Sequence, residues 1–340
     1  MKGFMILPIL ILTIDPDPHA DFVERILKRR KRRAIRLNTN QISEFSQISF
    51  NTSGSMSTIG VRSDGKLYTP KEFQSIWFRK PFLQLQETSQ IGVDKALEIN
   101  FKFEEYRNAC TAFLFEAKKN NVFVLSHYDN IVKANYKLLQ LIAASKIGFH
   151  IPETLVSSDV KEIKSFIDSH DKTVIMKTLG KPFVEVGNKK KIFYTYMLTA
   201  KQFSDYYKDK VIDFPLLVQE EIKKKIELRI TVVGNRIFAC AIDSQSLAHS
   251  KVDWRMADPY KLKHEMINLP SEVERCCFEI CRSFGLQFSA IDMAITPKGD
   301  YVFFEINPNG QYLWIEDITK APISSALADL LADPKQYIIS

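Results

Sequence analysis

Asp292 and Glu305 stand at matching distances from a turn, and their chemistry is the first thing this chain offers. The runs Ala290-Ile291-Asp292-Met293-Ala294-Ile295-Thr296 and Tyr301-Val302-Phe303-Phe304-Glu305-Ile306-Asn307 flank Pro297-Lys298-Gly299-Asp300. Two apolar, β-prone runs around such a turn read as a hairpin. If the four turn residues close the loop, Thr296 lies opposite Tyr301 and Asp292 directly opposite Glu305. Asn307, two residues on, points to the same face as Glu305. Like charges opposite one another destabilise a sheet, so the pair needs solvent, a shared proton or a cation. The strongly apolar flanks place the hairpin centrally, and hard oxygen donors of this kind suit Mg2+ held jointly with substrate phosphates.

Upstream lie candidates for the phosphates themselves. Lys177 interrupts the apolar strand Val174-Ile175-Met176-Lys177-Thr178-Leu179, where a lysine is costly unless it meets an anion. The stretch from Gly180 to Phe193, with Gly187 and the run Lys189–Lys191, could close over a triphosphate. Leu216-Leu217-Val218-Gln219-Glu220-Glu221-Ile222 has the shape of a hinge at which side chain and backbone read a purine edge, although many strands end this way. In Glu227-Leu228-Arg229-Ile230-Thr231-Val232-Val233, Leu228, Ile230 and Val232 share one face and Glu227, Arg229 and Thr231 the other. That leaves Arg229 either to hold a phosphate or carboxylate bidentately or to pair simply with Glu227. Arg255, in Asp253-Trp254-Arg255, carries the same ambiguity.

The elements that must position these groups alternate in type. Strand Ile6–Ile14, a helix around Phe22–Arg30 and strand Ala34–Leu37 come first, then a β-meander over 41–70 and a strand at 75–81. A helix from about Ile91 to Lys118, strand Val122–Leu125, a helix around Ile131–Lys146, a helix at Asp159–His170 and a strand at Thr173–Leu179 follow. The remainder reads as hairpins ending in a helix at Ile323–Leu331. The 340 residues, 45% hydrophobic and 26% charged, suit two or three packed globular units. The run Met5–Ile14 resembles a signal peptide but is too short for a membrane span and meets Asp15-Pro16-Asp17-Pro18; a first buried strand explains it better, which implies a cytoplasmic protein. Five cysteines, three of them in Cys276–Cys281 with no histidine nearby, read as buried thiols rather than as disulfides or a metal site. Of the formal +7 charge, part is the run Lys28–Arg33. It lacks the interleaved aromatics that single-stranded nucleic acid needs and reads as a solvated helix end; neither nucleic acid nor membrane is expected as a partner.

In this order the pieces resemble the ATP-grasp superfamily and, more narrowly, the ATP-grasp macrocyclases of graspetide (microviridin-type) biosynthesis and related peptide maturases. The residues carrying the resemblance are Trp77-Phe78-Arg79-Lys80-Pro81, Lys137-Leu138-Leu139-Gln140-Leu141, Ile151-Pro152-Glu153-Thr154-Leu155, Lys177-Thr178-Leu179 and Gln219-Glu220. Glu227-Leu228-Arg229-Ile230-Thr231-Val232-Val233-Gly234, Val252-Asp253-Trp254-Arg255 and Glu305-Ile306-Asn307-Pro308-Asn309-Gly310-Gln311 complete the set. Ser126-His127-Tyr128 departs from the usual pattern at no catalytic position. The resemblance implies an ATP-grasp fold of α/β (α+β) class in three units: an N-terminal pre-ATP-grasp-like α/β domain (1–121), a central domain (122–218) and a C-terminal antiparallel-sheet domain (219–340). ATP lies between the last two. By motif match, Lys137 and Lys177 contact phosphates, Gln219, Glu220 and the Ile222 backbone face adenine, and Glu227 lies near the ribose. Asp292, Glu305 and Asn307 hold Mg2+, and Arg229 and Arg255 stabilise an acyl phosphate or the substrate carboxylate. The implied substrate is an acidic precursor peptide with a leader, and the implied assembly a homodimer.

Three functions remain open on sequence grounds. One is joining Asp or Glu side chains of such a peptide to Ser or Thr hydroxyls or Lys amines. A second is adding a free amino acid to a peptide or small acid. The third is nucleotide binding without turnover, which the intact Lys177, Asp292, Glu305 and Asn307 set disfavours.

Overall fold

The computed structural model describes residues 6–40, 47–81, 93–180, 183–186, 189–192, 195–207, 211–247 and 254–339. The apolar N-terminal run becomes β1 (Ile9–Thr13), buried at every position, as a strand covered on both faces must be. Asp17 then caps α1 (Pro18–Arg29), its carboxylate accepting from the His19 N–H with Pro18 in the first turn, a combination that starts helices. After β2 (Ala34–Asn38) come the antiparallel meander β3 (Gln47–Ser53), β4 (Met56–Ser63) and β5 (Lys66–Tyr68), then β6 (Ser75–Phe78), α2 (Val93–Lys119) and β7 (Phe123–Leu125). Four of these strands make a parallel sheet in the order β2-β1-β6-β7. The chain's direction of travel across it reverses between β1 and β6. Open parallel sheets leave a crevice beyond the carboxyl ends of their strands at such a switch point.

The anticipated helix around Ile131–Lys146 is two helices, α3 (Tyr128–Ala134) and α4 (Lys137–Ile147), because Tyr136 is extended between them. Buried Gln140 repairs the break: its amide nitrogen donates to the Ala134 and Ile306 carbonyls, and its oxygen accepts from the Ile306 N–H. The central region continues as β8 (Thr154–Ser157), α5 (Val160–Ser169), β9 (Thr173–Lys177), β10 (Phe183–Val186), β11 (Lys189–Ile192), β12 (Tyr196–Thr199), α6 (Ala200–Tyr207) and β13 (Leu216–Glu220). Its antiparallel sheet runs β12-β9-β13-β8, with α5 and α6 on a core of Ile163, Ile167, Val174, Leu198 and Phe203. The stretch expected to cover phosphates is the hairpin β10–β11; Gly187 lies outside the described residues, as do Ile91, Val252 and Asp253.

The last region contains β14 (Ile226–Val233), β15 (Arg236–Ile242), β16 (His264–Ile267), α7 (Ser271–Ser283), β17 (Phe288–Ile295), β18 (Tyr301–Asn307), α8 (Leu313–Thr319), α9 (Ile323–Ala332) and α10 (Pro334–Tyr337). Its antiparallel sheet runs β16-β15-β14-β17-β18. Leu228, Ile230 and Val232 pack with Cys276, Cys277, Ile280 and Cys281 of α7. All five cysteines are free and buried, and burial pushes the Cys110 and Cys281 thiols up to about 12. On the other face, α9 joins Val233 and Phe288 to Ile9, Ile11, Leu27 and Trp77, so one core serves the first and last thirds of the chain. The basic run takes part: Arg30 donates to the Asp329 carboxylate and to both Ser325 oxygens. It is therefore a fastener for α9 as well as a helix end. Among the described residues no helix is long and apolar enough to cross a membrane.

The β14–β15 turn has no room for a side chain. Gly234 has φ +54°, and a Cβ there would come within 1.9 Å of the Tyr337 carbonyl oxygen. Gly234→Ala is expected to cost about 2 kcal/mol or more, combining left-handed strain with a backbone clash. Denaturant unfolding checks this; a loss below about 0.5 kcal/mol, the size of an ordinary surface change, would refute it.

Candidate active site

Asp292 does face Glu305, but by a different route from simple counting. Ile295, not Thr296, pairs with Tyr301, and the register holds through Ala294–Val302 and Met293–Phe303 before shifting by one between Met293 and Asp292. The loop is one residue longer than expected, with Thr296 N–H donating to the Asp300 carbonyl. Phe304 is the extra residue of a β-bulge, and bulges re-aim side chains. Here Phe303 and Ile306 enter the core, while Phe304 and Glu305, consecutive in sequence, both line the same cavity.

That cavity, about 850 Å3, lies between the β9–β13 sheet and the β14–β17–β18 sheet. It collects Lys137, Lys177, Gln219, Glu220, Ile222, Glu227, Arg255, Asp292, Glu305 and Asn307. Arg229 stands behind Asp292: its Nη1 donates to both carboxylate oxygens at 2.9 and 2.8 Å, and its Nη2 to the Gln311 carbonyl at 3.2 Å. The simple Glu227–Arg229 pair is not formed. Glu227 instead accepts from Lys224 at 2.6 Å and from the Ser244 hydroxyl at 2.9 Å. The reason is that β14 is covered on both faces, so Glu227 and Arg229, 7% and 6% exposed, must each find an interior counter-charge.

The two facing carboxylates differ. Burial pushes Asp292 up, Arg229 opposes this, and the charge on Glu305 adds to the rise, leaving Asp292 above its ordinary value. For Glu305 burial acts in the same sense, but Lys137, Arg255, Lys177 and Arg229 together outweigh it and hold the carboxyl below the usual range. Arg255 approaches Glu305 to 3.9 Å. Lys137, in the first turn of α4, donates to the Thr178 carbonyl at 2.6 Å. Lys177 lines the cavity and keeps some solvent contact, yet protein crowds it enough that desolvation pulls its ammonium down to about 8, against the favourable pull of Glu305. Its Nζ lies 5.2 Å from the centre of the Phe304 ring, a cation–π distance that the bulge makes available.

At the hinge, Gln219 donates to Thr154 Oγ1 at 2.8 Å, and the Glu220 carboxylate accepts from the Glu153 N–H at 3.2 Å. Several cavity residues have no counterpart among the sequence expectations. Lys224 and Gln245 line the floor near Glu227, and Tyr136 lies near Lys137. A polar residue inside an apolar helix was the available signal for Gln140, and the Lys223–Lys225 run for Lys224. The donor set suits a hard divalent cation. Asp292 and Glu305 put carboxylate oxygens on one wall, and since Asp292 receives a single Nη1, lone pairs remain on both of its oxygens. Among the described residues no cluster of three or more His, Cys, Asp or Glu could hold a metal, so a cation here would rely on the two carboxylates, Asn307 and phosphate oxygens.

A family model described as "MvdD pre-ATP grasp domain" matches residues 8–132, and one described as "RimK-like ATP-grasp domain" matches residues 132–331. The second spans more than half of the chain, including every wall of the cavity. This chain belongs to the RimK-like ATP-grasp family. Among solved structures, a RiPP-associated ATP-grasp ligase of Chryseobacterium gregarium, in complex with ADP and a leader and core peptide, superposes with a TM-score of 0.83 at 26% identity, covering 97% of this chain and 98% of that one. The macrocyclase MdnC of Microcystis aeruginosa MRC, bound with precursor peptide MdnA, gives 0.78 at 25%, with coverage of 96% and 100%. The macrocyclase MdnB of the same organism gives 0.72 at 25%, with 96% and 99%. No curated protein matches. The chain is thus an ATP-grasp ligase similar over nearly its whole length to peptide-modifying ligases of the same architecture.

Proposed function

We propose that this ATP-grasp ligase uses ATP and Mg2+ to activate Asp or Glu side chains of a leader-bearing ribosomal precursor peptide as acyl phosphates. It then joins them to Ser or Thr hydroxyls, or to Lys amines, within the same peptide. What carries the reading is the opposition, in one cavity, of Lys137 and Lys177 to Asp292 and Glu305. The cavity's size falls within the range of cofactor sites. In this reading Lys137 and Lys177 take the phosphates, Glu220 and the Ile222 backbone the adenine with Gln219 bracing the hinge strand, and Glu227 the ribose. Asp292, Glu305 and Asn307 would hold the metal, which neutralises phosphate charge when bound.

The chemistry follows from need. A carboxylate is a poor electrophile, so one of its oxygens attacks the γ-phosphorus and ADP leaves. Charge spreads over the phosphoryl oxygens, where fixed cations stabilise it. The hydroxyl or amine then attacks the acyl carbon, losing its proton, and phosphate departs with the original carboxylate oxygen. Arg229 holds Asp292 in register, and Arg255, half-exposed at the rim, is placed to meet the acyl phosphate or the incoming carboxylate. Docking of a leader makes the second step intramolecular and raises effective concentration.

Incubated with Mg2+, ATP and a short acidic peptide encoded beside its gene, the enzyme is expected to produce a peptide lighter by about 18 Da per bond, as the atoms above require. Mass spectrometry reads this directly. A gain equal to an amino-acid residue would instead establish ligation of a free amino acid, and an unchanged mass with every neighbouring peptide would remove the macrocyclase reading.

A further inference from the structure

The switch-point crevice of the parallel sheet is already filled, by the chain's own residues 309–313. Arg79, immediately after β6 and 2% exposed, donates from Nη1 to the Asn309 carbonyl at 2.8 Å. His19, in the first turn of α1 and 8% exposed, uses Nε2 to accept from the N–H groups of Tyr312 and Leu313 at 3.3 and 3.5 Å, with its ring 4.8 Å from that of Tyr312. Asp17 sits between the two. Its carboxylate accepts from the Thr13 hydroxyl at 2.5 Å and lies 3.5 Å from His19 Nδ1 and 3.8 Å from Arg79 Nε. Although burial works against it, the His19 and Thr13 bonds and the charge of Arg79 hold Asp17 well below the usual carboxylate range, so it remains the anion of this cluster.

The gripped segment begins two residues beyond Asn307 and is fixed on its other side as well. Arg229 donates to Gln311 while holding Asp292, and a Cβ at Gly310 would stand 2.3 Å from Ala290 Cβ and 2.8 Å from Arg229 Nη2. So tightly packed a segment cannot shift without moving Asn307, the Arg229 fork or both.

We propose that Arg79 and His19 are positioning residues through which the N-terminal domain, none of whose described residues lines the cavity, sets the geometry of the metal-binding end of β18. The proposal rests on the metal role given above to Asp292, Glu305 and Asn307. Partners that orient metal ligands from behind typically contribute ten- to a hundredfold in metal affinity.

The test uses full-length protein and ADP, measuring nucleotide affinity by calorimetry with EDTA and with Mg2+, and Mn2+ affinity of the ADP complex by electron paramagnetic resonance. Arg79→Met and His19→Leu should each lower Mn2+ affinity roughly ten- to a hundredfold and abolish most of the Mg2+-dependent gain in ADP affinity. ADP affinity in EDTA should stay within about twofold, an effect smaller than one lost hydrogen bond. His19→Gln, whose amide oxygen can replace Nε2 as acceptor, should restore most of the loss. Should Arg79→Met fail to fold by circular dichroism, the His19→Leu and His19→Gln pair decides alone. Unchanged Mn2+ affinity in folded His19→Leu, or equal losses with and without metal, overturns the proposal. Asp292→Asn is the control: if it too leaves Mn2+ affinity unchanged, the metal reading fails rather than the positioning.

Discussion

Glu305→Gln is expected to lower turnover at least about a hundredfold, equivalent to roughly 2.7 kcal/mol of barrier. Glu305 is the carboxylate that Lys137, Arg255, Lys177 and Arg229 jointly keep ionised, so the neutral amide removes the anion around which both phosphate lysines are arranged. The substitution is isosteric and ends the repulsion with Asp292, so the fold should hold. Asp292→Asn should be as damaging to turnover but harder on stability, because it leaves the Arg229 guanidinium, 6% exposed, without its counter-charge. A buried ion deprived of its partner commonly costs about 3–5 kcal/mol, less here because the amide oxygen still accepts one bond. Steady-state rates at saturating Mg2+ and thermal unfolding of both variants check this. Near-normal turnover in both would remove these carboxylates from the chemistry.

Lys177→Met should weaken ATP binding by at least tenfold, about 1.4 kcal/mol, and leave thermal stability equal or higher at neutral pH. The second half follows from the depressed ammonium. With a folded value of about 8 against an ordinary 10.5, the unfolded chain binds more protons between those values. Stability therefore rises with pH across that window, and below it the charged lysine is a standing cost to the fold. Methionine removes the cost. Bound triphosphate supplies an anion and pulls the lysine's proton affinity back up, so ATP binding by the unsubstituted enzyme near pH 8 should take up as much as about half a proton, because the free lysine is already partly protonated there. Calorimetry in buffers of different ionisation enthalpy measures that uptake, which Lys177→Met should lack. Equal affinities for ATP would make Lys177 a structural residue.

The site was legible wherever local pattern decides structure and obscure wherever a distant partner does. A lysine in an apolar strand and two carboxylates flanking a turn are local anomalies, and both led to the cavity. The bulge at Phe304 was hidden because Phe303 and Phe304 are alike in type, so nothing marked which of them leaves the alternation. Two offsetting errors, the longer loop and the missing bulge, still put Asp292 opposite Glu305. The helix break before Lys137 escaped notice because the apolar pattern of α3 runs on into α4; what holds it is Gln140 bonding to β18, 166 residues away. The partners of Arg229 and Glu227 were equally out of reach, since one apolar face on β14 suggested solvent on the other, where Gln311, Lys224 and Ser244 meet these side chains and α9 packs over Val233 instead.

That last contact bears on how the protein is made. Arg30 and Asp329 are 299 residues apart, and Ile9, Ile11, Leu27 and Trp77 share their core with α9. A nascent chain emerging from the ribosome can pair β1 with β2 early, but part of one apolar side of that sheet stays uncovered until α9 has been synthesised. Exposed surface of this kind invites aggregation or chaperone capture while translation proceeds. Premature termination before α9 would then harm the part of the molecule finished first, and the earliest domain to appear would be the last to become secure.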